Sequence, residues 1–159
     1  MNERVFGKNT DSPVLKDCVR QLDEYFSGSR KVFSIPMHPE GTHFQKKIWT
    51  LLHQIPFGET ISYLELALMA GSRKLIRAVG AANGANPLAI IVPCHRVIGN
   101  EGKLTGYAGG LRRKEWLLKF ERKIIRPELF DMNVFQGRPN NSYTNEVRII
   151  AGRHHQNKG

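Results

Sequence analysis

The chain has 159 residues, 40% of them hydrophobic, which is enough for one packed domain with small appendages. No apolar run approaches the ~20 residues needed to span a bilayer, and the opening Met1-Asn2-Glu3-Arg4 lacks an apolar signal stretch; the expected setting is the cytoplasm, or the nucleus in a eukaryote, with no membrane partner. A net charge of +10 favours a phosphate backbone as partner, and two cysteines, Cys18 and Cys94, with no Cys-x-x-Cys or His-x-x-x-His, argue against a disulfide framework and a structural zinc site.

Ser12-Pro13 has the form of a helix start, and Val14, Leu15, Cys18, Leu22 and Phe26 recur at helical spacing up to a stop at Gly28. Cys18 lies on that stripe and reads as a small core residue. Residues 31–36 read as a short strand ended by Pro36. Thr42-x-x-Gln45 is a capping box opening a helix that carries Phe44, Ile48, Leu51 and Leu52 on one face and ends before Pro56-Phe57-Gly58. Ser62-x-x-Glu65 opens a second helix over 63–70, Gly71-Ser72 is a tight turn, and a third helix spans about 73–82. Two helices joined by a short glycine-containing turn predict a helix-turn-helix.

The third helix sets Arg73, Lys74 and Arg77 beside Ala78, Gly80, Ala81, Ala82 and Gly84. Such a face suits either close approach to a nucleic-acid groove or packing against another helix, and this segment alone does not choose. Residues 83–87 read as a loop and 88–92 as a buried strand leading to Pro93-Cys94-His95-Arg96-Val97. Gly106-Tyr107-Ala108-Gly109-Gly110 feeds a helix from 111 to about 120 that turns Leu111 and Leu118 inward, with Glu115 near its middle. Beyond Phe120 periodicity weakens. Residues 134–135 and 147–151 suggest short strands, and His154-His155 a solvated tail. The expected organisation is an N-terminal segment (1–40), a central domain (41–120) and a basic tail (121–159).

A cysteine nucleophile reacts as its thiolate, which a free thiol near pKa ~8.5 rarely supplies at neutral pH. His95 and Arg96 beside Cys94 are a base and a cation of the kind that shifts this balance. A Cys-His neighbour pair alone is weak, since buried cysteines beside histidines are common.

The surrounding blocks are more specific. Ile55-Pro56-Phe57-Gly58-Glu59-Thr60-x-Ser62-Tyr63, Arg77-Ala78-Val79-Gly80, Asn86-Pro87 through Pro93-Cys94-His95-Arg96-Val97, Gly106-Tyr107-Ala108-Gly109-Gly110-Leu111 and Lys114-Glu115-Trp116-Leu117-Leu118 follow one another in order. Together they resemble the methylated-DNA–protein-cysteine methyltransferases, also known as O6-alkylguanine-DNA alkyltransferases, over roughly 12–120. The resemblance implies a mostly α fold with small β elements: a winged-helix-like, helix-turn-helix catalytic domain, here behind a truncated N-terminal sheet domain. It implies single-turnover transfer of an alkyl group from O6-alkylguanine in double-stranded DNA to Cys94, with O4-alkylthymine left open as a substrate, by a monomer without metal or cofactor.

In that family pattern Cys94 resembles the acceptor, His95 the base acting through a water, and Glu115 the carboxylate that orients the histidine. Tyr63 resembles the hydroxyl donor to the purine, and the Ala108 N–H the donor near O6. Tyr107 and Gly109 belong to the same binding loop, and the carbonyls of Cys94 and Val97 resemble acceptors for the guanine amino group. Arg77 resembles the finger filling the stack when the base is flipped through the minor groove. Asn86 resembles the tie between recognition segment and active-site loop. Ala89, where some relatives carry proline, implies a roomier pocket. Two other classes stay in view: a non-catalytic sensor of alkylated bases, which in relatives lacks the acceptor cysteine, and a cysteine hydrolase, which leaves the helix-turn-helix and Arg77 without a role.

Overall fold

The computed structural model describes residues 12–130. The strands expected at 134–135 and 147–151 and the tail at His154-His155 lie outside the described residues. The chain divides into two compact units between His38 and Pro39.

In the first unit α1 (Pro13–Phe26) starts with proline at its N-terminus and ends at Gly28, whose φ of 81° suits only glycine without strain. Its apolar stripe is not the buried face: Val14, Leu15 and Phe26 are each about half exposed, Cys18 is intermediate, and Gln21 and Tyr25 are buried. Gln21 donates to Asp17 Oδ2 (2.8 Å) and accepts from Ser34 N (2.9 Å), while Tyr25 packs on Phe33. Residues 31–36 therefore follow the helix through a side-chain bond rather than a ladder, and no strand forms there.

The second unit opens with α2 (His43–His53). Thr42 Oγ1 accepts from Gln45 N and Gln45 Oε1 from Thr42 N, so the predicted box satisfies two orphan donors reciprocally. Ser62 and Glu65 do the same for α3 (Tyr63–Met69). After the turn at Gly71 (φ 121°) a single 3-10 turn, Arg73–Leu75, leads into α4 (Ile76–Gly84). Lys47 Nζ donates to Ala70 O (2.8 Å) and Trp49 Nε1 to Ala82 O (2.9 Å), fastening α2 to the ends of α3 and α4. Ile48, Trp49 and Leu52 of α2, Leu66 and Ala67 of α3, and Val79 and Ala82 of α4 form the core, with Val97 and Ile98 beneath. Each large aliphatic side chain so buried contributes about 1.5–3 kcal/mol.

The only sheet among the described residues is a parallel pair, β1 (Ile61–Ser62) and β2 (Val97–Ile98), in register Ile61 with Val97 and Ser62 with Ile98. It joins the entrance of the helix-turn-helix to the chain just after Cys94. The strand expected at 88–92 is instead a closed loop. Asn86 Nδ2 donates to Val92 O (2.9 Å), Asn86 Oδ1 accepts from Leu88 N (3.0 Å), and Val92 N donates to Leu88 O (2.8 Å). These bonds turn the backbone back on itself, with Ile90 at φ 73°.

The last long helix, α5 (Leu111–Ile125), runs five residues past the expected end, followed by a 3-10 turn at Pro127–Phe130. Its buried residues are Lys114, Leu117 and Glu121, whereas Leu111 is 47% exposed. The inward face thus carries two charged residues and one leucine, a pattern that apolar periodicity misses. No helix among the described residues is long and apolar enough to cross a membrane, and no cluster of three metal-binding side chains occurs among them.

Candidate active site

Cys94 opens a 3-10 turn, Cys94–Arg96, held by Cys94 N donating to Val92 O (2.8 Å) and Arg96 N to Pro93 O (3.0 Å). The tight turn places Cys94, His95 and Arg96 all out of solvent, with Cys94 5% and His95 0% exposed.

His95 Nε2 lies 2.8 Å from Glu121 Oε1, both side chains fully buried. A carboxylate only accepts, so Nε2 carries the proton and Nδ1 is the bare nitrogen. Nδ1 is buried with no hydrogen-bond partner among the described residues. Burial holds the imidazole below its ordinary 6.5 against the pull of Glu121, so it rests neutral at pH 7.

Glu121, not Glu115, is the carboxylate on the histidine. Glu115 sits on the outer face of α5 and pairs with Lys119 Nζ at 2.7 Å, one turn along the same helix. The physical reason is phase: Lys114, Leu117 and Glu121 repeat at i, i+3 and i+7 on one face, and Glu115 is turned about 100° from it. Glu121 also accepts from Arg96 Nε and Nη2 (2.9 Å each) and from Gly58 N (2.9 Å). Although burial pushes its carboxyl up, those donors prevail and hold it down to about 2.

Arg96 is consumed in this scaffold. It donates to Glu121 and to Ile55 O (2.7 Å) and lies over the Phe57 ring. The cation whose field reaches the thiol is Lys114, fully buried on α5. Its Nζ donates to Thr105 O (2.7 Å) and Gly106 O (3.3 Å) and lies 5.7 Å from the Tyr63 ring centre. Desolvation lowers its pKa to about 8, partly offset by Cys94. At Cys94 itself burial prevails and pushes the thiol above its ordinary 9.0, against the Asn86 amide, nearby backbone donors and Lys114. Cys94 therefore rests as a thiol, and chemistry there requires a base.

Tyr63, first residue of α3, directs its hydroxyl at Gly106 O (3.2 Å) and Thr105 O (3.4 Å). Gly106 sits at φ 51°, and a Cβ there would approach the Tyr63 hydroxyl to 3.2 Å. Gly109 is packed under Tyr107, whose ring would meet an added Cβ at 2.7 Å. Tyr107 is half-buried, Ala108 exposed and Val97 fully buried. Asn86 closes the loop before Cys94 as described above. On α4 Arg77, Ala78, Ala81 and Gly84 are exposed, while Val79, Ala82 and Asn83 face inward. The small-residue face is open rather than packed on a helix.

The structure thus links Tyr63, Asn86 and Cys94 through Asn83 and Val92, ties the adjacent His95 to Glu121, Arg96 and Gly58, and leaves Glu115 outside both groups. Sequence reasoning missed Glu121, Lys114 and Asn83. The seven-residue spacing of Lys114 and Glu121 was the one available signal, and it looks like ordinary surface charge until the helix is docked.

Residues 43–123 match the family model of the 6-O-methylguanine DNA methyltransferase DNA binding domain, and 2–39 that of the same protein's ribonuclease-like domain. A methylated-DNA–protein-cysteine methyltransferase of Methanosarcina barkeri is 54% identical over 111 residues, 70% of this chain and 70% of the relative. The constitutive one of Bacillus subtilis is 50% identical over 116 residues, 72% and 70% of the two chains. Among solved structures, the Mycobacterium tuberculosis O6-methylguanine methyltransferase aligns with a TM-score of 0.65 at 50% identity, covering 73% of this chain and 72% of its own. The M. tuberculosis OGT in complex with DNA aligns at 0.66 and 52%, covering 68% and 66%.

Proposed function

The chain belongs to the 6-O-methylguanine DNA methyltransferase family, and from that premise we propose that it repairs alkylated DNA directly, moving the alkyl group of O6-alkylguanine onto Cys94. The observation that carries the assignment of Cys94 is the buried, unprotonated Nδ1 of His95, the next residue in the chain, with Glu121 fixing the tautomer from the other ring nitrogen. That is the base-and-orienter arrangement of a triad.

The sulfur attacks the alkyl carbon, the carbon–O6 bond breaks, and its electron pair returns to the purine. The thiol proton passes to His95 Nδ1 through a water, and the Glu121 carboxylate stabilises the imidazolium. The purine takes a proton from the Tyr63 hydroxyl, while the Ala108 N–H donates near O6 and the Cys94 and Val97 carbonyls accept from the amino group. Tyr107 and Gly109 shape the base-binding loop. A target inside a duplex must be flipped out, and exposed Arg77 beside the small residues of α4 fits insertion through the minor groove.

The product is a thioether with no good leaving group. Each molecule therefore acts once, as a monomer. The presence of Cys94 with its base disfavours a non-catalytic sensor. Incubation with a duplex containing O6-methylguanine, followed by peptide mass spectrometry, should find one methyl group on Cys94. Cys94→Ala should bind the duplex and transfer nothing. Repeated turnover, or a folded wild-type protein left unmodified, refutes the proposal.

A further inference from the structure

Asn83 lies on the inner face of α4 and is 2% exposed. Its Nδ2 is 3.4 Å from the Tyr63 hydroxyl oxygen and 3.4 Å from Cys94 O. Its Oδ1 is buried without a hydrogen-bond partner among the described residues. A buried amide with one end unsatisfied carries a cost that an apolar side chain of similar size avoids. Its contribution must come from the donor end, which faces the phenol and the nucleophile's own carbonyl.

We infer that Asn83 is a positioning residue for the transfer: its amide donates to the Tyr63 oxygen, strengthening that hydroxyl as a proton donor and aligning it with Cys94. The inference rests on the reading of Tyr63 as the donor to the departing purine. A hydrogen bond donated to a phenol oxygen favours the phenolate, and so the release of its proton. When the carbon–O6 bond breaks and the Tyr63 proton moves to the purine, the phenolate left behind accepts from Asn83 until water reprotonates it.

The other titratable groups at the phenol are Cys94, from the 3-10 turn, and Lys114, from α5. Burial raises the phenol, Asn83 opposes that rise, and a Cys94 charge adds to it. Lys114 donates to the same two carbonyls, Thr105 and Gly106, that receive the Tyr63 hydroxyl in the substrate-free state. The hydroxyl must leave those carbonyls to serve a base, and Asn83 holds the oxygen from the opposite element as it turns. Long contacts before substrate arrives are usual for such groups.

The test is a double-mutant cycle on single-turnover transfer, using the full chain and an O6-methylguanine duplex. Asn83→Leu should slow transfer about tenfold in the wild-type background and add nothing to Tyr63→Phe. Rate losses that multiply overturn the inference. In parallel, with ring-13C-labelled tyrosine, the Tyr63 phenol should titrate higher in Asn83→Leu and higher still in Asn83→Asp, which adds a negative charge and donates nothing. An unmoved phenol overturns it as well. Asn83→Asp keeps the shape of the side chain and serves in the cycle if Asn83→Leu does not fold. The titration needs no transfer, so an inactive wild-type protein refutes the proposed function while the Asn83–Tyr63 link is still decided.

Discussion

Replacing Glu121 by glutamine removes one negative charge from a point where four N–H donors converge on two oxygens: Gly58 N, His95 Nε2, and Arg96 Nε and Nη2. The carboxyl is held at about 2 against an ordinary 4.5, so the fold favours its charged form. At about 1.4 kcal/mol per unit, that preference corresponds to roughly 3 kcal/mol. Breaking a buried pair by removing one partner costs about 3–5 kcal/mol, because the other charge stays buried. Glu121→Gln should therefore lose about 3 kcal/mol in urea unfolding at pH 7, within the margin a small domain can lose and still fold. Single-turnover transfer should slow on the order of 100-fold, since the imidazolium formed at His95 loses its counterion. Glu115→Gln is the internal control: its exposed pair with Lys119 is worth about 0.3–0.5 kcal/mol, and transfer should be unchanged. The reverse result, a slowed Glu115→Gln beside a normal Glu121→Gln, would refute the assignment.

The lowered carboxyl also sets a pH window. Its folded pKa lies below its unfolded one, so the stabilisation is complete above about 4.5 and disappears as pH falls toward about 2; acid titration of urea midpoints should show this loss in wild type and a shallower one in Glu121→Gln. Gly58→Ala forces a side chain into φ 78° and brings its Cβ within 2.5 Å of Ile125 Cδ1, so unfolding should show a loss of about 1–3 kcal/mol. Because the Cys94 thiol is pushed above 9.0, iodoacetamide labelling of the DNA-free protein should keep accelerating past pH 9; a plateau near pH 7 would mean a resting thiolate and contradict the need for a base.

Local chemistry made the helix boundaries legible. Thr42 with Gln45 and Ser62 with Glu65 satisfy orphan backbone donors within a few residues, so both caps could be read without knowing the fold. Cys94 and His95 are adjacent in the chain, so the two could be singled out together without knowing the fold. The in-order blocks around them pointed to the family, which the comparisons bear out. What stayed hidden depended on which way elements face after packing. The apolar stripe of α1 was legible, yet its burial was not, because Gln21 and Tyr25 take the inner positions. Residues 88–92 look like a strand until the Asn86 side chain competes for their backbone groups. On α5 the sequence points to Glu115, because the helix is expected to end near Phe120 and Glu121 lies beyond that end. Only docking the helix with Lys114, Leu117 and Glu121 inward brings one carboxylate to His95, Arg96 and Gly58, and the other to water. Sequence by itself determined the family, the adjacency of Cys94 and His95 and most of the helical frame, because those are set by neighbouring residues and local hydrogen bonds. The tertiary structure alone decided which carboxylate meets His95 and that Lys114 and Asn83 are buried, since the burial of a polar or charged residue is fixed by partners far along the chain.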